Sequence, residues 1–218
     1  MFTGIILAIG KIAAIEHRSG DCRLKIDTAN LPLSDVVLGD SIAVNGVCLT
    51  AVELGEHFFY ADVSNETLSR TILNSSVVGT SVNLELALTP ATRMGGHIVS
   101  GHVDGIGVIT EKKADGRSYR FIVKAPDDLA KYIAEKGSIC INGISLTINE
   151  VKGASFSVNI VPYTLKDTTL GEALVGTKVN LEVDLLARYM ERLIQGDSAA
   201  CVQDGITEDL LHKSGFFG

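Results

Sequence analysis

The strongest constraint on this chain is that it repeats itself. At a constant offset of 97 residues, Ser41-Ile42-Ala43-Val44-Asn45-Gly46-Val47-Cys48-Leu49-Thr50 aligns with Ser138-Ile139-Cys140-Ile141-Asn142-Gly143-Ile144-Ser145-Leu146-Thr147. Thr67-Leu68 then meets Thr164-Leu165, and Val78 to Glu85 meets Val175 to Glu182. Residues 41–88 and 138–185 share 20 identities in 48 gap-free positions. The offset also holds near the start, where Gly4, Ile9 and Gly10 meet Gly101, Ile106 and Gly107. The chain is therefore two copies of one unit followed by a tail, and both copies must adopt the same fold. The expected bounds are 1–97, 98–185 and 186–218.

The repeat also settles the apolar opening. Met1 to Gly10 resembles the core of a secretion signal, but no basic residues precede it and no small-residue cleavage site follows. Its counterpart, Ile98 to Gly107, lies inside the chain, so a strand of the fold is expected at both places rather than a cleaved leader. Ile5 to Ile9 is far too short for the ~20 apolar residues that span a bilayer. The four cysteines at 22, 48, 140 and 201 have no paired spacing, so reduced thiols and a cytoplasmic location are expected, with no membrane role. Formal net charge is −7, and both halves are acidic, with 6 basic against 10 acidic residues in 1–97 and 13 against 16 in 98–218. Such a field repels a polyanion and argues against nucleic acid as a partner.

Each copy is mostly β. Cys22 to Ile26, Tyr119 to Val123, His57 to Val63, Ser155 to Val161, Val82 to Leu88 and Val179 to Leu185 alternate or are rich in strand formers. Asn45-Gly46 and Asn142-Gly143 tolerate positive φ and mark a turn or bulge. About six short strands per copy argue for a small closed barrel. Pro126 with Asp127 and Asp128 marks a helix start, and Gly137 a stop. Past the repeat, Leu186, Tyr189, Met190, Leu193 and Ile194 form an apolar stripe at helical spacing, suited either to docking on its own barrel or to an oligomer contact. Thr207-Glu208-Asp209 marks one more short helix ending at Gly215.

The sequence holds no nucleophile elbow, no P-loop and no complete dinucleotide fingerprint. His97 and His102 are five apart, which does not align them on one helix face, and no metal site is expected. The informative positions are those where the copies differ. Ile5 is matched by His102, Cys48 by Ser145, Gly39 by Lys136 and Ala87 by Asp184. Singly, each is explained as a solvated or satisfied polar group; Asp184 would cap the following helix. Together they indicate two related pockets of unequal chemistry.

Met1-Phe2-Thr3-Gly4-Ile5-Ile6, Asn45-Gly46-x-Cys48-Leu49-Thr50, Gly95-Gly96-His97, Gly101-His102-Val103-Asp104, Lys136-Gly137, Gly143 to Thr147 and Thr164-Leu165 to Asp184 resemble the trimeric, two-barrel riboflavin synthase family over about residues 1–195. The resemblance implies an all-β fold of two tandem closed six-stranded Greek-key barrels, with short helices and a C-terminal helix. It implies dismutation of two molecules of 6,7-dimethyl-8-ribityllumazine into riboflavin and 5-amino-6-ribitylamino-uracil, by transfer of a four-carbon unit and with no cofactor. It implies a homotrimer whose reacting pair forms between barrels of neighbouring subunits.

Five positions match those the family treats as catalytic: Cys48, His102, Ser145, Thr147 and Asp184. Substrate contacts carry over to Gly4, Ile5 and Ile6, to Leu49 and Thr50 beside Cys48, and to Gly101 and Val103 beside His102. They extend to Asp62, Val63, Ser64, Asn65, Glu66 and Thr67 in the first copy. In the second they take in Lys136, Leu146, Ile160, Val161, Pro162, Tyr163, Thr164 and Leu165. Val47 stands where some relatives carry a second cysteine, so vicinal thiol chemistry is not expected. The alternative function is a non-catalytic antenna protein of the same fold that binds a lumazine or flavin.

Overall fold

The computed structural model describes residues 1–18, 21–196 and 214. The short helix expected near 207–215 lies outside the described residues, as does Cys201. In the first copy the strands are β1 (Ala8–Arg18), β2 (Asp21–Asp27), β3 (Ser41–Val44), β4 (Val47–Thr50), β5 (Glu53–Leu54), β6 (Phe58–Ser64) and, after helix α1 (Asn65–Arg70), β7 (Ser81–Leu86). In the second they are β8 (Gly105–Asp115), β9 (Ser118–Lys124), β10 (Ser138–Ile141), β11 (Ile144–Lys152), β12 (Ser155–Ile160) and, after helix α2 (Pro162–Lys166), β13 (Lys178–Val183). Helix α3 (Leu185–Gln195) follows.

The second copy closes into a six-stranded antiparallel barrel in the order β10-β11-β12-β9-β8-β13. Three hairpin-linked strands, β10 to β12, lie beside β9, which reaches β10 by a long connection; this is the Greek-key arrangement. The first copy has the same order, β4-β3-β7-β1-β2-β6-β5, with the counterpart of β11 divided into β4 and β5. The division falls at an irregularity that both copies share. The β11 register shifts between Ile148 and Glu150. The first copy breaks at the same place: Ala51 N donates to Asp40 O just as Ile148 N donates to Gly137 O, and pairing resumes at Glu53 with Tyr60 as it does at Glu150 with Ser157.

Alternation fills both barrels. Ile12, Leu24, Ile26, Ile42, Phe59 and Leu84 pack one interior. Ile109, Phe121, Ile139, Phe156, Val158 and Leu181 pack the other. Neither interior is a ligand cavity: side chains occupy it, as in other small barrels. Asn45-Gly46 and Asn142-Gly143 form the hairpin turns expected, with φ of 47°, 77°, 48° and 83°, the pattern of a type I′ turn.

The opening segment departs from expectation. It becomes a ladder strand only at Ala8, and before that it makes a single bridge, Phe2 with Val99. The Thr3 and Gly4 amides bond the Glu85 carboxylate instead of a neighbouring strand, and the backbone is thereby drawn out of the ladder. Phe2 is fully buried with Ala43, Val99 and Cys140 in a small core shared by the two copies. The turn after Pro126 is a 3₁₀ helix, Asp127–Tyr132.

The copies are joined by asparagines in matched pairs. Asn83 Nδ2 donates to Asn142 O and Asn180 Nδ2 to Asn45 O, both at 2.9 Å. Asn83 Oδ1 accepts from Thr169 N, and Asn180 Oδ1 from Ile72 N, both at 2.8 Å. Met1–Leu185 forms one compact unit. In α3 the residues Leu186, Tyr189, Met190, Leu193 and Ile194 are all exposed, and no residue of the helix is buried. No helix among the described residues is long and apolar enough to cross a membrane.

Candidate active site

The site is built at the seam between the copies. Chain continuity assigns each opening segment to its own copy, but in space the two are exchanged. Gly4 O accepts from Ser145 N at 2.8 Å, and Gly101 O accepts from Cys48 N at 2.8 Å. Glycine is required at both places. Each has positive φ, and a Cβ on Gly4 would lie 2.6 Å from Ser145 Cβ, one on Gly101 2.6 Å from Cys48 Cβ. The residues after each glycine follow the exchange. Ile6 packs on the core of the second barrel, and Val103 on that of the first.

Two clusters result. One joins Gly4-Ile5-Ile6 to Ser145-Leu146-Thr147 of β11. A cavity of about 390 Å³ continues from it between Ile6 to Ile9 and Tyr163, Lys166 and Asp167 of the α2 region; that volume suits a small bicyclic ligand. The other cluster joins Gly101-His102-Val103 to Cys48-Leu49-Thr50 of β4. Leu49 is buried in its barrel and Leu146 packs against its own. The pleat therefore sends Cys48 and Thr50, and likewise Ser145 and Thr147, to the outer face. Thr50, Thr147, His102 and Ile5 are exposed, so both clusters are open on one side.

The helices that follow β6 and β12 sit at matched positions but differ in bonding. Ser64 caps α1, accepting from Thr67 N at 3.3 Å, and its Oγ lies 3.1 Å from Thr67 Oγ1. Val161 and Pro162 replace Ser64 and Asn65 in the second copy, so Thr164 has no such hydroxyl neighbour; Pro162 at the first helical turn sets φ instead. Asn65 and Glu66 begin α1, and Glu66 pairs with Arg70 at 2.8 Å. Val63 and Ile160 are buried in the barrels. Asp62 lies near Arg18 and Arg23, at 3.9 and 3.8 Å, on the outer surface. Tyr163 is exposed beside the cavity, and Leu165 packs on the second core. Lys136 is exposed at φ 64°, where the first copy has Gly39; no described contact connects its side chain to either cluster.

One residue of the site was not anticipated from sequence. His97 Nδ1 lies 2.7 Å from Ser145 Oγ. Burial lowers the His97 pKa below its ordinary value, and the Asp184 carboxylate acts in the opposite direction. Burial prevails, so the ring is neutral near neutral pH and can accept the serine proton at Nδ1. His97 comes from the linker between the copies, outside the aligned repeats, so comparison of the repeats does not reveal it. Cys48, the match of Ser145, is a half-buried free thiol, whereas Cys22 and Cys140 are buried. Burial raises the thiol pKa of both buried cysteines, which leaves them inert. Among the described residues no group of His, Cys, Asp and Glu is placed to hold a metal ion.

Comparison with known proteins agrees with the duplication. A family model for the lumazine binding domain matches residues 3–87 and again 100–184. The chain is 49% identical over 216 residues to the riboflavin synthase of Photobacterium phosphoreum, covering 99% of each chain. It is 38% identical to that of Bacillus subtilis strain 168, covering 99% of this chain and 100% of that one. Among solved structures it is similar to LumP complexed with riboflavin, with TM-score 0.76 and 27% identity over 84% of this chain and 99% of that chain. LumP complexed with 6,7-dimethyl-8-(1'-D-ribityl) lumazine gives TM-score 0.74.

Proposed function

This chain belongs to the lumazine-binding family, with the riboflavin synthases, and is an enzyme that forms riboflavin; we propose that it does so by dismutating two molecules of 6,7-dimethyl-8-ribityllumazine, one held in each cluster. The observation that carries this reading is the pair of matched but unequal clusters, Gly4–Ser145 and Gly101–Cys48, each open on one side. Two copies of one substrate need two copies of one binding surface. Unequal groups are needed because one molecule gives up four carbons and the other receives them.

The reaction balances without an external oxidant or reductant, since the four carbons lost by one lumazine are those gained by the other. The C7 methyl of a lumazine is acidic for carbon because its anion delocalises into the ring. A base removes that proton, and the resulting carbanion attacks the second ring. His102 is the imidazole that takes this proton. Ser145, with His97 as acceptor, moves a proton or holds a water at the ring. Cys48 serves the partner ring as nucleophile or acid, and Thr147 and Asp184 bind and orient. Holding the two rings face to face replaces a bimolecular encounter with an oriented one.

Assembly follows from exposure. The five apolar residues along α3 are exposed among the described residues, and three such stripes make a homotrimer core. The open clusters of one subunit then face those of the next. The free thiols of Cys22, Cys48 and Cys140 support a cytoplasmic place of work. Incubation with 6,7-dimethyl-8-ribityllumazine tests the function. Riboflavin must appear beyond one equivalent per chain, at half the lumazine consumed. Binding without turnover would instead identify an antenna protein.

A further inference from the structure

We infer that Glu85 and Glu182 are positioning residues, one for each pocket, and that each fixes the opening segment of the pocket walled by the opposite copy. The inference rests on the riboflavin synthase reading above. Glu85 lies in β7 and is 4% exposed; Glu182 lies in β13 and is 5% exposed. Neighbouring positions in both strands carry buried apolar side chains that form the barrel cores. A buried carboxylate there is costly unless its oxygens are satisfied.

They are satisfied in the same way twice. Glu85 Oε1 accepts from Thr3 N at 2.6 Å and Thr3 Oγ1 at 2.5 Å, and Oε2 accepts from Gly4 N at 3.0 Å. Glu182 Oε1 accepts from Ser100 N at 2.6 Å and Ser100 Oγ at 2.7 Å, and Oε2 accepts from Gly101 N at 2.9 Å. All the partners are donors, so an acceptor-only carboxylate is the matching group. Burial pushes both carboxyl pKa values up, while these hydrogen bonds draw them down.

What they hold is the least supported backbone of the site. Residues 3–6 and 100–103 lie outside the strands. From Glu182 two bonds in series reach Cys48: carboxylate to Gly101 N, then Gly101 O to Cys48 N. They set the place of His102, the next residue. From Glu85 the matching series runs through Gly4 to Ser145. A glutamine at either position would turn an amide group toward at least one donor, and the segment would shift.

The test uses the full chain, with Glu182→Gln and Glu85→Gln beside Ser100→Ala and Thr3→Ala, which each remove one hydroxyl donor and leave the carboxylate in place. Cys48 alkylation by iodoacetamide is followed by peptide mass with and without saturating riboflavin, together with kcat and KM. Losing a charge-assisted bond of about 1.4 kcal/mol corresponds to roughly tenfold. Riboflavin should protect Cys48 in the unaltered chain and in Glu85→Gln, but about tenfold less in Glu182→Gln. Both glutamine variants should lose about tenfold or more in kcat. Should a glutamine variant not fold, Ser100→Ala and Thr3→Ala report the same asymmetry with smaller amplitude. Equal protection in Glu182→Gln and Glu85→Gln, or loss in Glu85→Gln alone, overturns the inference. An unaltered chain that neither binds riboflavin nor forms it overturns the functional reading itself.

Discussion

Gly46 and Gly143 meet back to back: a Cβ on Gly46 would lie 2.7 Å from the Gly143 amide nitrogen, and one on Gly143 would lie 2.8 Å from that of Gly46. Both have positive φ, so a side chain adds backbone strain to the clash. Gly46→Ala or Gly143→Ala should each lower stability by about 3 kcal/mol or more. Gly39→Ala is the control. It has positive φ but nothing within 4 Å, and should cost only about 1–2 kcal/mol. Denaturant unfolding of the three variants measures this, and equal losses would show that the seam between copies is loose.

The asparagine pairs make a second prediction at the same seam. Asn83→Leu leaves Asn142 O and Thr169 N without their partners. The loss should be about 2–4 kcal/mol, because buried polar groups are left unpaired. Amide exchange localises the effect. The Thr169 amide should exchange faster by about tenfold or more, while that of Ile72, held by Asn180, should change less. Uniform acceleration of both would mean that the pairs act as one lock.

Much of this architecture is legible in the sequence, and the reason is duplication. A fixed offset forces the strand order of one copy on the other, and Asn-Gly at 45–46 and 142–143 can make only a narrow range of turns. The exchange of the opening segments is not legible, because sequence continuity places Gly4 with the first barrel while its hydrogen bond goes to Ser145. Its trace is the Glu85 and Glu182 match, two charged residues kept at one buried strand position; on sequence alone this is indistinguishable from an outward-facing glutamate. His97 lies outside the aligned repeats, so looking for differences between copies passes over it. The irregularity that divides β4 from β5, and that shifts the β11 register between Ile148 and Glu150, has no glycine or proline to mark it in either copy.

Helix α3 gives a prediction about assembly. Tyr189 and Leu193 are 62% and 78% exposed in the chain. If the stripe forms the trimer core, Leu193→Glu should place like charges together where apolar contact is needed, and the trimer should dissociate. Light scattering reads the mass directly. Activity should fall with the mass if the reacting pair forms between subunits. A monomer with full activity would show that both substrates meet within one chain.

The His97–Ser145 contact gives a prediction with a definite sign in pH. The ring nitrogen accepts the serine proton only when neutral, and burial holds the His97 pKa below its usual 6.5. Protonation at Nδ1 would break that acceptance, so kcat should fall on the acid side, with a midpoint below that of a free imidazole. Stability follows the same sign. The folded state binds the His97 proton less readily than the unfolded state, so this contribution is intact above 6.5 and declines as pH falls below it. His97→Ala should lower kcat by about 10²-fold, with KM changed by less than about threefold, since the ring acts through Ser145 and not on bound substrate. It should also remove the part of the acid limb that His97 imposes. That last readout separates proton acceptance from packing, because a residue that only fills space lowers activity at every pH and leaves the shape of the profile unchanged.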